Sequence, residues 1–380
     1  MMMMPCLVFA AYVAAPIPVA SWESLRAVIA AAKPAVAVSV QFSPAFTFNE
    51  SDYGPPTPGK ENPWEIGIAD GRTVSINGGG HTLTGRGGDG RFLNITDAHV
   101  ELTDLNFNSG GCIGDGGFIA VARSILKTSY VTFNQAAVWP SRGGAIWAED
   151  SELSLGISTM FRGCSAGEGG ALAAFNTTID ATDTVFIENS VDGAGDAPGG
   201  AMLLAGCNVT ISRSTFSQGG CDGGGGAIVL GDCTATIDQT DFSENMAGGG
   251  SSGGALDITN SHVVVTGSTF TNNQASGGDM GLGGGAITVT GSQLTVRASN
   301  FTGNSASVNG GAIAEGPAES GCSEVHISGC FFDSNTARDA GNTGGAIFSG
   351  DGNVTVDGCM CRNNQPQNFG GNFTAKCSPY

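Results

Sequence analysis

Residues 284–313 read GGAITVTGSQLTVRASNFTGNSASVNGGAI, a stretch that opens and closes on the same four residues. Inside it, Leu294 and Val296 stand two apart, and Phe301 and Asn304 follow. An i, i+2 apolar pair places both side chains on one face of a strand. No 3.6-residue period runs through the segment, which excludes an amphipathic helix.

The opening tetrad, two glycines followed by a small and an aliphatic residue, recurs along the chain. Its first glycine is Gly143, Gly169, Gly199, Gly225, Gly253, Gly284, Gly310 or Gly344. Degenerate copies start at Gly116 and Gly370, and successive starts lie 27, 26, 30, 26, 28, 31, 26, 34 and 26 residues apart. A recurring minimum with variable excess describes a fixed coil carrying loops of different length. The F-x-x-N pair keeps its phase at Phe186/Asn189, Phe242/Asn245, Phe270/Asn273, Phe301/Asn304 and Phe332/Asn335.

One such repeat cannot bury its own apolar face. Copies stacked in parallel and in register can, because each coil pairs with those above and below. The expected fold is therefore all-β: a single-stranded parallel β-helix of about ten coils, roughly 50 Å long at ~4.8 Å per coil. Identical side chains then form interior columns, including a structural column of Asn189, Asn245, Asn273, Asn304 and Asn335 whose amides bond one another and the turn backbone. Two coils break the phase, with Cys164 three residues after Phe161 and Gly219 three after Phe216. A locally different turn is expected there. The glycine pair permits a sharp corner with positive φ.

The repeat domain is assigned to residues 75–380, with the first coil starting near Val74. Residues 21–74 form an N-terminal cap. It holds a short helix from Trp22 behind Ser21 and a loop around Pro55-Pro56-Thr57-Pro58.

Cysteines follow the register. Cys207 and Cys233 each lie eight residues after the first glycine of adjacent repeats, so they should stack ~4.8 Å apart, inside the disulfide range. The segments starting at Cys330 and Cys359 align without a gap, making those two residues vertical neighbours and placing Cys361 in the Phe column. Bridges Cys207–Cys233 and Cys330–Cys359 are expected. The alternative is buried thiols packing as small hydrophobes. The spacing leaves Cys112, Cys164, Cys221, Cys322 and Cys377 unassigned.

Residues 1–20 are uncharged and mostly apolar. They read as a signal peptide, cleaved after Ala15 or Ala20, with an apolar cap strand as the alternative. Ten further cysteines and seven N-x-S/T sequons agree with secretion to the extracellular space or cell surface. The glycosylation candidates are Asn49, Asn94, Asn176, Asn208, Asn300, Asn353 and Asn372. A net charge of −19 repels nucleic acid and anionic lipid. No later apolar stretch reaches 18 residues, so no transmembrane anchor is expected.

With both motifs in phase over residues 76–373, the chain resembles the polymorphic outer membrane protein repeat family. That repeat is known from chlamydial surface adhesins and from secreted β-helix proteins. The resemblance implies a right-handed helix of the pectin-lyase-like superfamily. The adhesins' C-terminal membrane barrel has no counterpart before Tyr380, so autotransport and membrane anchoring are not carried over.

Many proteins of that superfamily cleave polyuronides. A lyase needs a base above a carboxylate-held Ca²⁺, and a hydrolase needs an acid and a base at fixed separation. Asp-Asp pairs are absent, and His81, His99, His262 and His326 are scattered. No catalytic residue, cofactor or metal is assigned. Asp183, Asp192, Asp196 and Asp222 lie in glycine-rich turns without calcium-loop spacing and read as solvated charge. Trp139 and Trp147 are sugar-stacking candidates near Glu149 and Asp150, although a Trp covered by a loop is the plainer reading. Thr210, Thr236, Thr295 and Thr355 should project from one sheet face, as strand propensity alone would place them. The sequence thus favours a non-catalytic adhesive, wall- or matrix-contacting protein whose partners are surface or matrix glycans or proteins. A polysaccharide-active enzyme, either lyase or glycoside hydrolase, is the alternative.

Overall fold

The structure is a computed structural model. It describes residues 15–34, 36–48, 65–85, 90–112, 114–192, 197–248, 253–276, 283–316, 322–338, 343–371 and 374–379. These form a parallel β-helix whose coils pair in three sheets of 21, 12 and eight strands.

The coil that follows Gly143 and Gly144 shows the plan. Ile146–Glu149 lies in the 12-stranded sheet, Glu152–Leu155 and Met160–Arg162 in the 21-stranded sheet, and Ser165–Glu168 in the eight-stranded sheet. Gly169 and Gly170 then begin the next turn. The strands of the three sheets pair in parallel, with an isolated antiparallel bridge between Gly90 and Gly111: Ile146, for example, stands between Ile119 below and Leu172 above.

Three corners separate these strands, and each puts one residue in the left-handed region. Asp150, Asn176, Asp232 and Asn260 mark the first; Tyr130, Asp183, Arg213 and Gln239 the second; Gln135, Glu188, Gln218 and Glu244 the third. Asp and Asn tolerate this region through local side-chain bonding, whereas Tyr130 and Arg213 are held there by the coils around them. Both glycines of the tetrad are required by space. A Cβ on Gly143 would fall 2.1 Å from the Ile146 carbonyl oxygen, and one on Gly144 2.0 Å from the Gly170 carbonyl oxygen. Gly143 also has φ +66°, a conformation that the first glycines Gly253, Gly284 and Gly344 do not share. Positive φ alone does not explain the pair.

The interior columns are continuous. Nine phenylalanines, from Phe107 to Phe332, stack with centroids 4.6 to 5.2 Å apart and planes within 16°. Burying each such ring contributes about 1.5–3 kcal/mol. Beside them, each asparagine binds two coils. Asn245 Nδ2 donates to the Phe216 carbonyl at 3.0 Å and to Asn273 Oδ1 at 2.9 Å. The column continues one coil past Asn335, to Asn364.

Cys164 and Gly219 do not change the turn. Their backbone N–H groups donate to Asn189 Oδ1 at 3.1 Å and Asn245 Oδ1 at 2.9 Å, as those of Asn245, Asn273, Asn304 and Asn335 donate to the asparagine one coil on. Gly163 and Gln218, the residues before them, keep the left-handed φ of that corner. The bond needs only a backbone donor, so it survives the loss of the asparagine, although the backbone at Gly219 comes close enough to leave a Cβ 2.2 Å from the Gly226 carbonyl oxygen.

At the N-terminal end, Ile17–Ser21 pairs with Ala37–Thr47, which in turn pairs with Thr73–Thr84. Val19 is buried. Helix α1 (Trp22–Ala31) starts in a capping box between Ser21 and Ser24 and buries Trp22, Leu25 and Ile29. The Trp22 ring meets Phe92 edge-on at 5.8 Å and thereby plugs the first coil. The loop expected around Pro55 lies outside the described residues.

Candidate functional sites on the outer faces

Residues that point away from the core form columns of their own, one position per coil. On the first four coils of the 21-stranded sheet, Thr73, His99, Ile125 and Glu152 make one outward column, and Ser75, Glu101, Lys127 and Ser154 the next. Two open hollows lie over them. One, of about 430 Å³, is lined by Asp97, His99, Arg123, Asp150 and Glu152. The other, of about 200 Å³, is lined by Thr73, Ser75, Glu101, Ile125 and Lys127 and shares His99 with the first. These residues are about 25 positions apart in sequence, and only the coil register brings them together.

One charge pair of this groove is already tied. Arg123 grips Asp97 through two bonds of 2.9 Å. That grip holds the Asp97 carboxyl below the usual carboxylate range and raises the guanidinium further. A lyase base must give up its proton near neutrality, which Arg123 held in this pair does not, and the ionised Asp97 is unsuited to a general acid's part though not to a base's or nucleophile's. Burial pushes two other carboxyls up, Asp257 to about 7 and Glu315 in the same direction. Asp257 faces outward on the 12-stranded sheet between Val229 and Thr288, under Gly224, while Glu315 faces inward. No shared groove joins them. Among the described residues no three His, Cys, Asp or Glu side chains converge on a metal-sized site.

The aromatic candidates divide. Trp139 is 59% exposed on the eight-stranded sheet. Trp147 is half-buried on the 12-stranded sheet between Ala120 and Ala173, its indole Nε1 covered and without a partner. Thr210 and Thr236 are vertical neighbours, then Val264, Thr295, His326 and Thr355 continue that outward column. Asp183 is held by Arg213 at 2.9 and 3.0 Å, while Asp196 lies outside the described residues. Asn176, Asn208, Asn300 and Asn353 are exposed, Asn94 is half-buried, and Asn49 and Asn372 lie outside the described residues.

Two corner columns escaped the sequence reading. In the first, backbone N–H groups donate to the side chain one coil on: Ala98 to Ser124, Ser124 to Ser151 and Ser261 to Ser292, at 3.0, 3.1 and 2.9 Å. The second joins Thr184 to Ser214, Thr240 to Ser268 and Ser268 to Ser299. The expected cysteine neighbours stand in these ladders. Cys207 N–H donates to Cys233 Sγ, and Cys330 N–H to Cys359 Sγ, each at 3.3 Å. All four are free thiols here, so the expected bridges are not formed in this structure. The physical reason is the ladder: each sulfur turns to a backbone carbonyl, as Cys233 does to Gly231 at 3.1 Å and Cys330 to Ser328 at 3.3 Å. Cys112, Cys164, Cys221, Cys322 and Cys361 are thiols as well.

The coil register, the inward columns and the glycine corners are what a family model recognises. The model of the right-handed β-helix region matches residues 160–317 and 199–378, together more than half of the chain. This chain belongs to the right-handed β-helix family. No curated protein matches it. No helix among the described residues is long and apolar enough to cross a membrane.

Proposed function

We propose that this right-handed β-helix is a non-catalytic extracellular rod that contacts wall or matrix glycans through its outer faces. The observation that carries the reading is the state of the outward charges. Arg123 is clamped to Asp97, Arg213 to Asp183, and Arg362 to Asp333 at 2.7 Å. Between these pairs, outward columns such as Thr210, Thr236, Val264, Thr295, His326 and Thr355 present mostly hydroxyl and imidazole groups one coil apart, which suits polar contact with a long repeating partner. The resemblance to polymorphic outer membrane protein repeats supports a surface role, as do the four exposed sequons and the stacked cysteine pairs. In an oxidising compartment Cys207–Cys233 and Cys330–Cys359 close as disulfides, each losing two electrons and two protons to a disulfide-bearing oxidoreductase.

A second reading has its own observation. The hollow over Asp97, His99, Arg123, Asp150 and Glu152 gathers acids, a base and an imidazole from three consecutive coils. A polysaccharide-active enzyme would use such a groove.

The test is secretion of the full chain from a eukaryotic host, followed by pull-down on a polysaccharide panel. The proposal expects a glycosylated product that binds at least one polymer, with Glu101→Ala and Lys127→Ala together weakening binding severalfold at unchanged stability. A product retained unglycosylated in the cytosol would overturn the extracellular assignment. Binding to no polymer would overturn the glycan partner.

A further inference from the structure

Glu315 breaks the apolar rule of the interior. It stands above Val289 and below Ser349 in a column that Leu204, Leu230 and Ile258 fill in earlier coils. The side chain is 1% exposed. Its Oε2 accepts the Gly352 N–H at 2.9 Å, while Oε1 has no partner.

Ser323 is its counterpart. The first hydroxyl ladder reaches Ser292 and would continue to Ser323, whose buried hydroxyl instead has no partner. The two residues border the same point: a Cβ on Gly352 would fall 2.4 Å from Glu315 Oε1 and 2.8 Å from the Ser323 backbone carbonyl oxygen. A buried carboxylate with a free oxygen is strongly disfavoured, and a buried hydroxyl left unpaired adds to that cost. A proton on Oε1 removes the buried charge and lets the acid donate to the hydroxyl, whereas an ionised Glu315 could only accept from Ser323 and would keep its charge buried.

We propose that Glu315 is a proton latch: its Oε1–H donates to Ser323 Oγ and closes the corner over Gly352, and loss of that proton loosens the coils from Ile313 onward. The surroundings favour the protonated form. Burial is the largest influence and raises the acid, and Asp351, on the corner that covers it, pushes in the same direction; the Gly352 N–H, the Ser323 hydroxyl and the Gly350 N–H oppose them without reversing the balance. The flanking strands Ile287–Thr290 and Ile347–Ser349 bring Val289 and Ser349 and no charge, and Glu324 beside Ser323 is exposed. The latch therefore holds in acid and releases as pH rises.

The experiment is amide hydrogen exchange on the full chain between pH 5 and pH 8, corrected for intrinsic rates. It compares Ile313 and Ile347 with Ile119 and Ile146 near the other end. In the wild type, protection of the later pair should fall severalfold relative to the earlier pair across that range. Glu315→Gln, which presents an amide donor at every pH, should keep protection flat. Ser323→Ala, which removes the acceptor, should move the release to lower pH. Equal pH dependence at both ends, or a Glu315→Gln protein that loses protection as the wild type does, would overturn the latch.

Discussion

Asn273 gives both its backbone N–H and its side-chain amide to one atom, Oδ1 of Asn304, each at 3.0 Å. Asn304 Nδ2 in turn donates to the Phe270 carbonyl at 2.9 Å. Replacing Asn304 with alanine removes four hydrogen bonds; Asn273 Nδ2 keeps Phe242 and Asn335 Oδ1 keeps the Asn304 N–H, while the Asn273 N–H and the Phe270 carbonyl lose their side-chain partner, at about 1–3 kcal/mol for each group left unpaired. Local relaxation recovers part of that, so Asn304→Ala is expected to lose about 3 kcal/mol in urea denaturation. A loss below about 1 kcal/mol would contradict a working ladder.

The aromatic column predicts a different profile. Phe216 lies 4.6 Å from Phe186 and 5.1 Å from Phe242. Phe216→Ala should cost about 3–5 kcal/mol and Phe216→Leu about 1–1.5 kcal/mol. Equal costs would mean that the column is not closely packed.

Much of this was legible in the sequence. The Phe and Asn columns repeat one residue type at fixed phase, so periodicity exposes them. The vertical neighbours Cys207/Cys233 and Cys330/Cys359 followed from the same count. The hydroxyl ladders stayed hidden because Ser, Thr and Cys serve them interchangeably, and such residues are common everywhere in this chain. The left-handed corners were hidden for the opposite reason: Asp150, Tyr130 and Gln218 share a conformation but no chemistry. At Cys164 and Gly219 the motif breaks while the backbone bond persists, so counting side chains overstated the change. The groove over His99 and Lys127 unites residues a full coil apart and has no local signature.

The ladders make a prediction about sulfur. Cys207 and Cys233 occupy places that Ser124, Ser151 and Ser261 fill in other coils. Under reducing conditions, Cys207→Ser with Cys233→Ser should therefore stay within about 1 kcal/mol of the wild type. In protein secreted through an oxidising pathway, peptide mapping should find Cys207 joined to Cys233, and reduction should cost about 2–4 kcal/mol. Free thiols in the secreted protein would contradict the bridge.

Glycine at the second place of the tetrad is a matter of space. Gly144→Ala sets a methyl group against the Gly170 carbonyl and should cost about 3 kcal/mol or more. Gly67→Ala, with nothing within 4 Å, should cost less than about 1 kcal/mol. Comparable thermal midpoints for the two variants would contradict the packing described here.

Stability should also respond to pH in a defined sense. Asp257, raised to about 7, and Glu315, also raised, bind protons more tightly folded than unfolded. Their contribution is full below the ordinary carboxylate pKa of about 4 and is lost as pH climbs through the folded values. Asp97, Asp183 and Asp333 are lowered by arginine, so their smaller, solvent-screened contribution is lost below about pH 4. The melting temperature should peak in mildly acidic solution and decline toward pH 8, with Asp257→Asn flattening the decline. A midpoint that rises steadily from pH 5 to pH 8 would contradict these assignments.

The central claim is that the groove over Asp97, His99, Glu101 and Lys127 holds a polymer without cutting it. The most direct measurement follows reducing and unsaturated ends over a day, with the secreted chain in excess over each bound polysaccharide, with and without Ca²⁺. Binding with no new ends is the predicted result. Release of either kind of end, abolished by Arg123→Ala or Glu152→Ala in a folded protein, would contradict it and make the groove an active site.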